Sequence, residues 1–420
     1  MFRISRPRAG HIRNTLLIDL RLAARNILRQ RRRSLISLAA IGFGIISMMQ
    51  AAGYIEWIFW ATREGVAVTQ LGHIQVTQRG YHENGRADPF AFLLPDDQRA
   101  LEALRQAPDV RSVTPRLSFN GLISHGEGTL SFIGEGIDPE LDPATRYMIV
   151  VEGSLPSRDD PRGILLGSGL AANLGVKSGD TVVLMANTTA GGINAVEGKV
   201  RGLVSTSMKA YDDSMLRINI DLARELLRTA GAHVWVVSLH DTDMTETALR
   251  NVVRNATLKP YEIAPWMRLA DFYNKTVELL SRQIGVVELI IGTIIILSIG
   301  NTMTMSVLER TLEIGTAMAL GVRRSRILGM FMLEGMLLGA IGGTVGVILG
   351  YVIAGIVSYV GIPMPPGPGM SRGFTAGIII TPSIVLDALL LAFATALLAS
   401  IYPAWRASRL NIVDALRHTR

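Results

Sequence analysis

Charged residues are missing from four stretches of this chain, 34–55, 289–308, 335–371 and 388–405. A membrane-spanning helix needs about 20 mainly apolar residues. Each stretch therefore predicts a span, and the third is long enough for a span plus an outer loop. The pattern divides the chain into spans over 34–55, 284–308, 327–360 and 381–405. It leaves segments over 1–33, 56–283, 309–326, 361–380 and 406–420 outside the lipid. The expected fold is a membrane protein with four transmembrane α-helices and a large α+β extracytoplasmic domain between the first and second.

Periodicity fills in these segments. In LLIDLRLAARNILRQR (16–31), Leu16 or Leu17, Leu20, Ala24 and Ile27 recur at helical spacing, with Arg21, Arg25 and Arg29 in a separate i, i+4 row. This predicts an amphipathic helix on the inner leaflet. The large insert opens with the strand-like GHIQVTQ (72–78) and continues into a helix over 96–106. Alternating segments follow at 111–119 and 129–137. Residues 163–185 read as strand, short helix, Gly-containing turn and strand; a helix over 221–230, a strand over 233–239 and a helix near 245–255 come next. ANTTAGGINAVEG (186–198) reads as a hairpin tip or mobile loop, and as a boundary between two lobes.

From Arg268 to Leu308 the residues Leu269, Tyr273, Thr276, Leu280, Gln283 and Val287 alternate steps of three and four. Such spacing predicts one continuous helix with a seam for a partner. At 1.5 Å per residue it would be a rod of roughly 60 Å. Thr276 and Gln283 weaken the seam, which suits a separable, movable stalk.

Charge then fixes orientation. Ten arginines and one acid, Asp19, precede the first span, Arg323, Arg324 and Arg326 precede the third, and Arg406, Arg409 and Arg417 follow the fourth. Lys and Arg mark the cytoplasmic side, so both termini and the 309–326 connection are expected there, with 56–283 and 361–380 opposite. Tyr54, Trp57, Phe59 and Trp60, and Tyr402 with Trp405, sit where interfacial anchors belong. The net charge of +7 raises a nucleic-acid reading, but the arginines adjoin apolar spans and suit anionic lipid headgroups. The first span exceeds a signal-peptide h-region of roughly 7–15 residues and reads as an uncleaved anchor. With 420 residues and no cysteine, the insert must stand on its own core, without disulfides, thiolate catalysis or Cys-ligated zinc.

Candidate chemistry is sparse. There is no phosphate-loop motif, Gly167-Ser168-Gly169 lacks nucleophile-elbow spacing, no histidine pair has metal-ligand helix spacing, and Asp241-Thr242-Asp243 is no calcium loop. Neither a cofactor nor a metal is expected. Glu334 and Asp387, near span ends, read as interfacial rather than as a proton relay.

The third span carries two interleaved glycine ladders, Gly335/Gly339/Gly343 and Gly342/Gly346/Gly350. Apolar flanks argue against a phosphate loop and for close helix packing. The connection SVLERTLEIGTAMALGVRRSRIL (306–328) has an apolar middle from Ile314 to Leu320, bounded by charge, with Gly321 as a helix stop. An exposed apolar helix of this kind awaits a partner groove.

Three segments carry a resemblance: ERTLEIGTAMALGVRRSRIL with LEGMLLGAIGGTVGVILG, the tail YPAWRASRLNIVDALR, and ILLGSGLAANLGVKSGDTVVL of the insert. Together they resemble the FtsX/MacB family of ABC-transporter permeases, which includes the Lol-type lipoprotein-releasing permeases. The resemblance implies a permease subunit without an ATP site of its own, in the bacterial inner membrane, paired with a second permease in a homodimer or related heterodimer. It also implies an ABC ATP-binding subunit and a possible periplasmic carrier or adaptor. ATPase coupling falls on Glu309, Arg310, Glu313, Ile314, Gly315, Ala319, Leu320 and Gly321. With 33 residues ahead of the first span, the organisation is expected to be nearer the Lol permeases than MacB, which has its nucleotide-binding domain there. The implied activity is mechanotransmission that extracts or expels lipoprotein, lipid or an amphipathic compound. The alternative is a transmembrane signal transducer regulating an envelope enzyme.

Overall fold

A computed structural model describes residues 21–412, except 30, 86, 143, 144, 146, 147, 207, 208 and 367–372. Arg3, Arg6, Arg8 and Arg13 of the N-terminal arginine cluster, Leu16, Leu17 and Leu20 of the amphipathic stripe, and Arg417 lie outside the described residues. The chain forms two compact units. One comprises residues up to Ile58, Val277–Ile362 and those from Ala376; the other comprises Phe59–Thr276 and Pro363–Thr375.

The first unit is helical. Residues 21–29 form a short helix, and α1 (Arg31–Glu64) follows. Buried Ser37, Ile41, Ile45, Met48, Met49 and Ala52 mark its inner stripe, while Leu35, Ile36 and Phe43 face outward. An apolar outer face is what lipid requires. Four helices are long and apolar enough to cross a membrane, and the large α+β domain lies in sequence between the first and second. The helix of the first span does not stop at Ile55: it runs on to Glu64 and into a π-helical segment, Gly65–Leu71. Charges at Glu56, Arg63 and Glu64 end the apolar run without ending the helix.

The second unit holds a ten-stranded sheet. Its strands are β1 (Ile74–Thr77), β2 (Val110–His125), β3 (Gly128–Ile137), β4 (Ile149–Gly153), β5 (Gly163–Gly167), β6 (Thr181–Asn187), β7 (Ile193–Ser205), β8 (Met215–Asn219), β9 (Val234–Leu239) and β10 (Glu262–Pro265). The order is β10-β1-β9-β2-β3-β8-β5-β7-β4, with β6 paired to β2 and β7. Two cores share it. Ile74, Val76, Trp235 and Val237 pack with Leu101 and Leu104 of α2 (Gln98–Arg105) and with Ala248 and Val252 of a helix over Thr245–Arg254. Leu117, Leu184 and Val200 pack with helices Ser168–Leu174 and Ile220–Leu227.

The lobe boundary differs from expectation. Residues 187–193 are the β6–β7 hairpin tip inside one lobe. The lobes instead change over within β2, which pairs with β9 through Arg116 and with β3 from Leu117. An unbroken strand carries no punctuation at such a point. Strands β4, β7 and β8 were also not separated by the alternation, and all five residues of β8 are buried, so no alternation exists there to read.

A charged cluster sits at this changeover. Arg116 donates to the Gln70 carbonyl and pairs with Asp142 at 3.0 Å, while Arg217 of β8 pairs with Glu135 of β3 at 2.8 Å. Glu135 lies 4.0 Å from Arg116, so the two pairs adjoin. Burial opposes both guanidinium charges, yet the carboxylates outweigh it and hold both groups above their ordinary pKa.

Two buried histidines are kept neutral. His73 Nδ1 accepts from the Leu239 amide at 3.2 Å, so its Nε2 carries the proton toward Thr242 Oγ1 at 3.1 Å, and Thr242 donates to Glu64. His233 Nδ1 accepts from the Ser118 amide, with the ring stacked on Tyr81. Desolvation lowers each pKa from 6.5 to about 4, in His73 against the opposing charge of Asp241. Below about pH 6.5 the unfolded chain takes up protons that the folded one refuses. Stability is therefore full above that value and is lost toward about pH 4, by on the order of 2–3 kcal/mol per histidine. Thermal unfolding of the whole chain in detergent should fall over this window, and the fall should be smaller in His73→Asn and His233→Asn.

The stalk helix, α3 (Asp271–Glu309), has 39 residues and is unbroken. It starts later than the periodicity predicts, because Ala270 (φ −91°, ψ 60°) separates it from the one-turn helix Trp266–Leu269. Ala270 and Trp266 are buried with Ala67 in a small local core. That packing overrides the local helical preference of a segment without glycine or proline.

Candidate coupling site

After α3, the chain turns at Arg310 (φ −101°, ψ 12°) into α4 (Thr311–Ala319), the connection to α5 (Arg324–Val360). α4 ends in a Schellman motif: the Val322 amide donates to the Ala317 carbonyl at 3.1 Å and the Gly321 amide to Met318 at 3.0 Å. Gly321 has φ +89°, a conformation glycine adopts without steric cost.

The residues expected to couple fall into three groups. Ile314 and Gly315 are buried with Met318 in the core of the membrane unit, so the apolar run is not all exposed. Ala319, Leu320 and Gly321 are exposed along with Leu312 and Thr316, and Leu320 is 83% accessible. The charged residues are engaged. Arg33 pairs with Glu309 at 2.5 Å and Arg29 with Glu313 at 2.5 Å. Arg310 reaches Glu313 and Glu334, each at 3.3 Å, and lies 5.5 Å above the Phe331 ring. Asn26, with its amide oxygen turned to the surrounding donors, accepts from Arg310 at 2.9 and 3.2 Å. Glu334 is thus a buried partner of Arg310. Burial opposes the Glu313 charge, but hydrogen bonds from Arg29 and Arg310 prevail and hold its pKa below the usual range. Arg29, Arg33 and Asn26 are members that sequence reasoning missed; the arginine row was visible, but its carboxylate partners lie about 280 residues away.

The two glycine ladders of α5 face different neighbours. Gly335, Gly339 and Gly343 lie against Ser400, Ala396 and Ala392 of α6 (Pro382–Ser408). Gly342, Gly346 and Gly350 lie against Ile41, Ile45 and Met49 of α1. A methyl group at Gly339 would lie 2.5 Å from Ala396 Cβ, and one at Gly346 2.9 Å from Ile45 Cβ.

A family described as FtsX-like permease C-terminal matches residues 285–412, and one described as MacB-like periplasmic core domain matches residues 34–254. The second match alone spans more than half of the chain. The chain belongs to the FtsX/MacB family of ABC-transporter permeases. Among FtsX/MacB relatives, a lipoprotein-releasing system transmembrane protein LolC of Xylella fastidiosa is 25% identical, over 90% of this chain and 98% of that protein. A macrolide export ATP-binding/permease protein MacB of Acinetobacter baylyi is 27% identical over 76% of this chain; the match spans 49% of that longer protein. The solved periplasmic region of MacB from Actinobacillus actinomycetemcomitans is similar to 51% of this chain and 95% of that one, at 15% identity and a TM-score of 0.36. Four membrane-spanning helices and a MacB-like α+β periplasmic domain are the FtsX/MacB arrangement. Permeases of this kind work with ABC ATPases.

Proposed function

We propose that this permease relays force from an ATP-binding subunit on the cytoplasmic side to its periplasmic domain, and thereby extracts or expels lipoprotein, lipid or an amphipathic compound at the inner membrane. The observation that carries this reading is the divided surface of α4. Ile314, Gly315 and Met318 anchor it in the bundle, whereas Leu312, Thr316, Ala319 and Leu320 remain open to a groove on the ATPase. A helix fixed on one side and free on the other transmits displacement instead of absorbing it. Glu309, Arg310 and Glu313 set its angle through their ion pairs, and Gly321 ends it sharply. The unbroken α3 then supplies a stiff element of about 58 Å. Both termini lie in the cytoplasm in this reading, and a second permease, identical or related, completes the dimer. A periplasmic carrier or adaptor receives the cargo.

Leu320→Asp is expected to abolish ATPase stimulation by the permease while insertion and unfolding temperature stay unchanged, because the side chain is exposed. Glu309→Lys should also uncouple, by meeting Arg33 with like charge. Normal complex formation and activity in both variants would defeat the assignment. Copurification from native membranes identifies the ATPase and any bound lipid or protein. Substrate-stimulated ATP hydrolysis in the reconstituted complex then supports transport, whereas a stable complex with a cell-wall hydrolase and no such stimulation supports the signalling alternative.

A further inference from the structure

The helix over 21–29 presents two different edges. Ala23 and Ile27 are buried in the bundle, and Arg21, Leu22, Arg25, Leu28 and Arg29 are exposed. Exposed leucines beside arginines make a surface that suits the headgroup layer of an anionic leaflet. Yet Arg29 spans to Glu313 of α4, and Arg33, just beyond at the start of α1, spans to Glu309 at the end of α3, each at 2.5 Å. The same side chains therefore serve two claims, from carboxylates of the coupling connection and from the membrane surface.

The magnitudes are matched. The Arg29–Glu313 pair is exposed, its side chains by 69% and 44%, and the Arg33–Glu309 pair is half-buried on the arginine side; an exposed ion pair shifts an equilibrium by at most about fivefold. An arginine near an anionic leaflet gains about fivefold in membrane partitioning. The two claims are comparable in size, so anionic-lipid content shifts the balance of a helix that buried Ala23 and Ile27 and the Asn26–Arg310 hydrogen bonds also hold. We propose that Arg29 and Arg33 form a latch that holds the N-terminal helix to the coupling connection and is released by anionic phospholipid headgroups. Release frees Glu309, leaves Glu313 to Arg310, and leaves α4 held by its buried Ile314, Gly315 and Met318 and by Arg310. The consequence for ATPase coupling rests on the function proposed above, but the latch itself does not and is measured without an ATPase.

The chain has no native cysteine, so Ala24→Cys and Thr316→Cys, both at exposed positions, report the separation by pulsed dipolar spectroscopy of the full chain in nanodiscs. In phosphatidylcholine a single short distance is expected. Phosphatidylglycerol should add a longer population and change the open-to-closed ratio by about fivefold or more. Glu309→Gln with Glu313→Gln should show the longer population already in phosphatidylcholine, and Arg29→Gln with Arg33→Gln should make the distribution independent of lipid. Inorganic phosphate added to phosphatidylcholine discs should leave the short distance intact. Identical distributions in the two lipids, or a lipid response that survives Arg29→Gln with Arg33→Gln, would overturn the latch. Opening by free phosphate alone would overturn the assignment to lipid.

Discussion

Gly339→Leu combined with Gly343→Leu is expected to leave the spans inserted but prevent their assembly. Any side chain at Gly339 begins 2.5 Å from Ala396 Cβ and 3.0 Å from the Ala392 carbonyl, and at Gly343 2.8 Å from Ala392 Cβ. The obstacles are a backbone carbonyl and methyl groups fixed to one, so no rotamer change relieves them. Overpacking costs about 1–3 kcal/mol per site when neighbours can shift. Here α5 and α6 must separate along their length, and the two sites together should exceed that range. In lipid no hydrophobic force restores the contact, since tails are as apolar as the helices, and association depends on close packing. Gly355→Leu is the control: it lies on the same helix with open space around it. The double variant should aggregate or unfold far below the parent temperature by size-exclusion and thermal unfolding in detergent, while Gly355→Leu stays near the parent. Equal behaviour of the two would show that the ladder does not hold the bundle.

Arg217→Met carries the largest expected effect in the periplasmic domain. It removes the 2.8 Å partner of Glu135, whose other arginine, Arg116, lies at 4.0 Å, at the point where β2 passes between lobes. Removing one member of a buried ion network costs about 3–5 kcal/mol, because an uncompensated charge stays behind. Replacing the pair is far milder. Arg217→Met with Glu135→Leu should recover much of the loss, giving a coupling energy of about 2 kcal/mol or more in a double-mutant cycle. The partial opening should be local as well. Hydrogen exchange should rise first in β3 and β8, which pair in parallel over residues 133–137 and 215–219. If the single variant unfolds at the parent temperature, the cluster does not fasten the lobes.

The spans were legible in the sequence because exclusion of charge over some 20 residues is a one-dimensional signal, and the family was legible because several of its motifs occur in order along the chain. The strand, helix, turn and strand over 163–185 were legible for a related reason, since Gly175 and Gly179 both take positive φ where the chain turns. What escaped depends on contacts distant in sequence. Nothing near Ala270 marks the break before α3; Ala67, with which it is buried, lies two hundred residues earlier. The change of lobe inside β2 is likewise set by which strand lies alongside, not by residue type. At the candidate coupling site, residue types marked an apolar helix bounded by charge, but not that Ile314 and Gly315 face the bundle while Leu320 faces out. Seven apolar or small residues in a row leave the burial phase of a nine-residue helix undetermined.

Force relay across a bilayer requires α4 and the periplasmic domain to lie on opposite sides of it. Single cysteines at Thr316 and, in the helix over Thr245–Arg254, at Glu246 can be placed on a chain that has none of its own. In right-side-out vesicles, a membrane-impermeant maleimide is predicted to label Glu246→Cys at once and Thr316→Cys only after permeabilisation. Labelling of both positions in sealed vesicles would contradict the account.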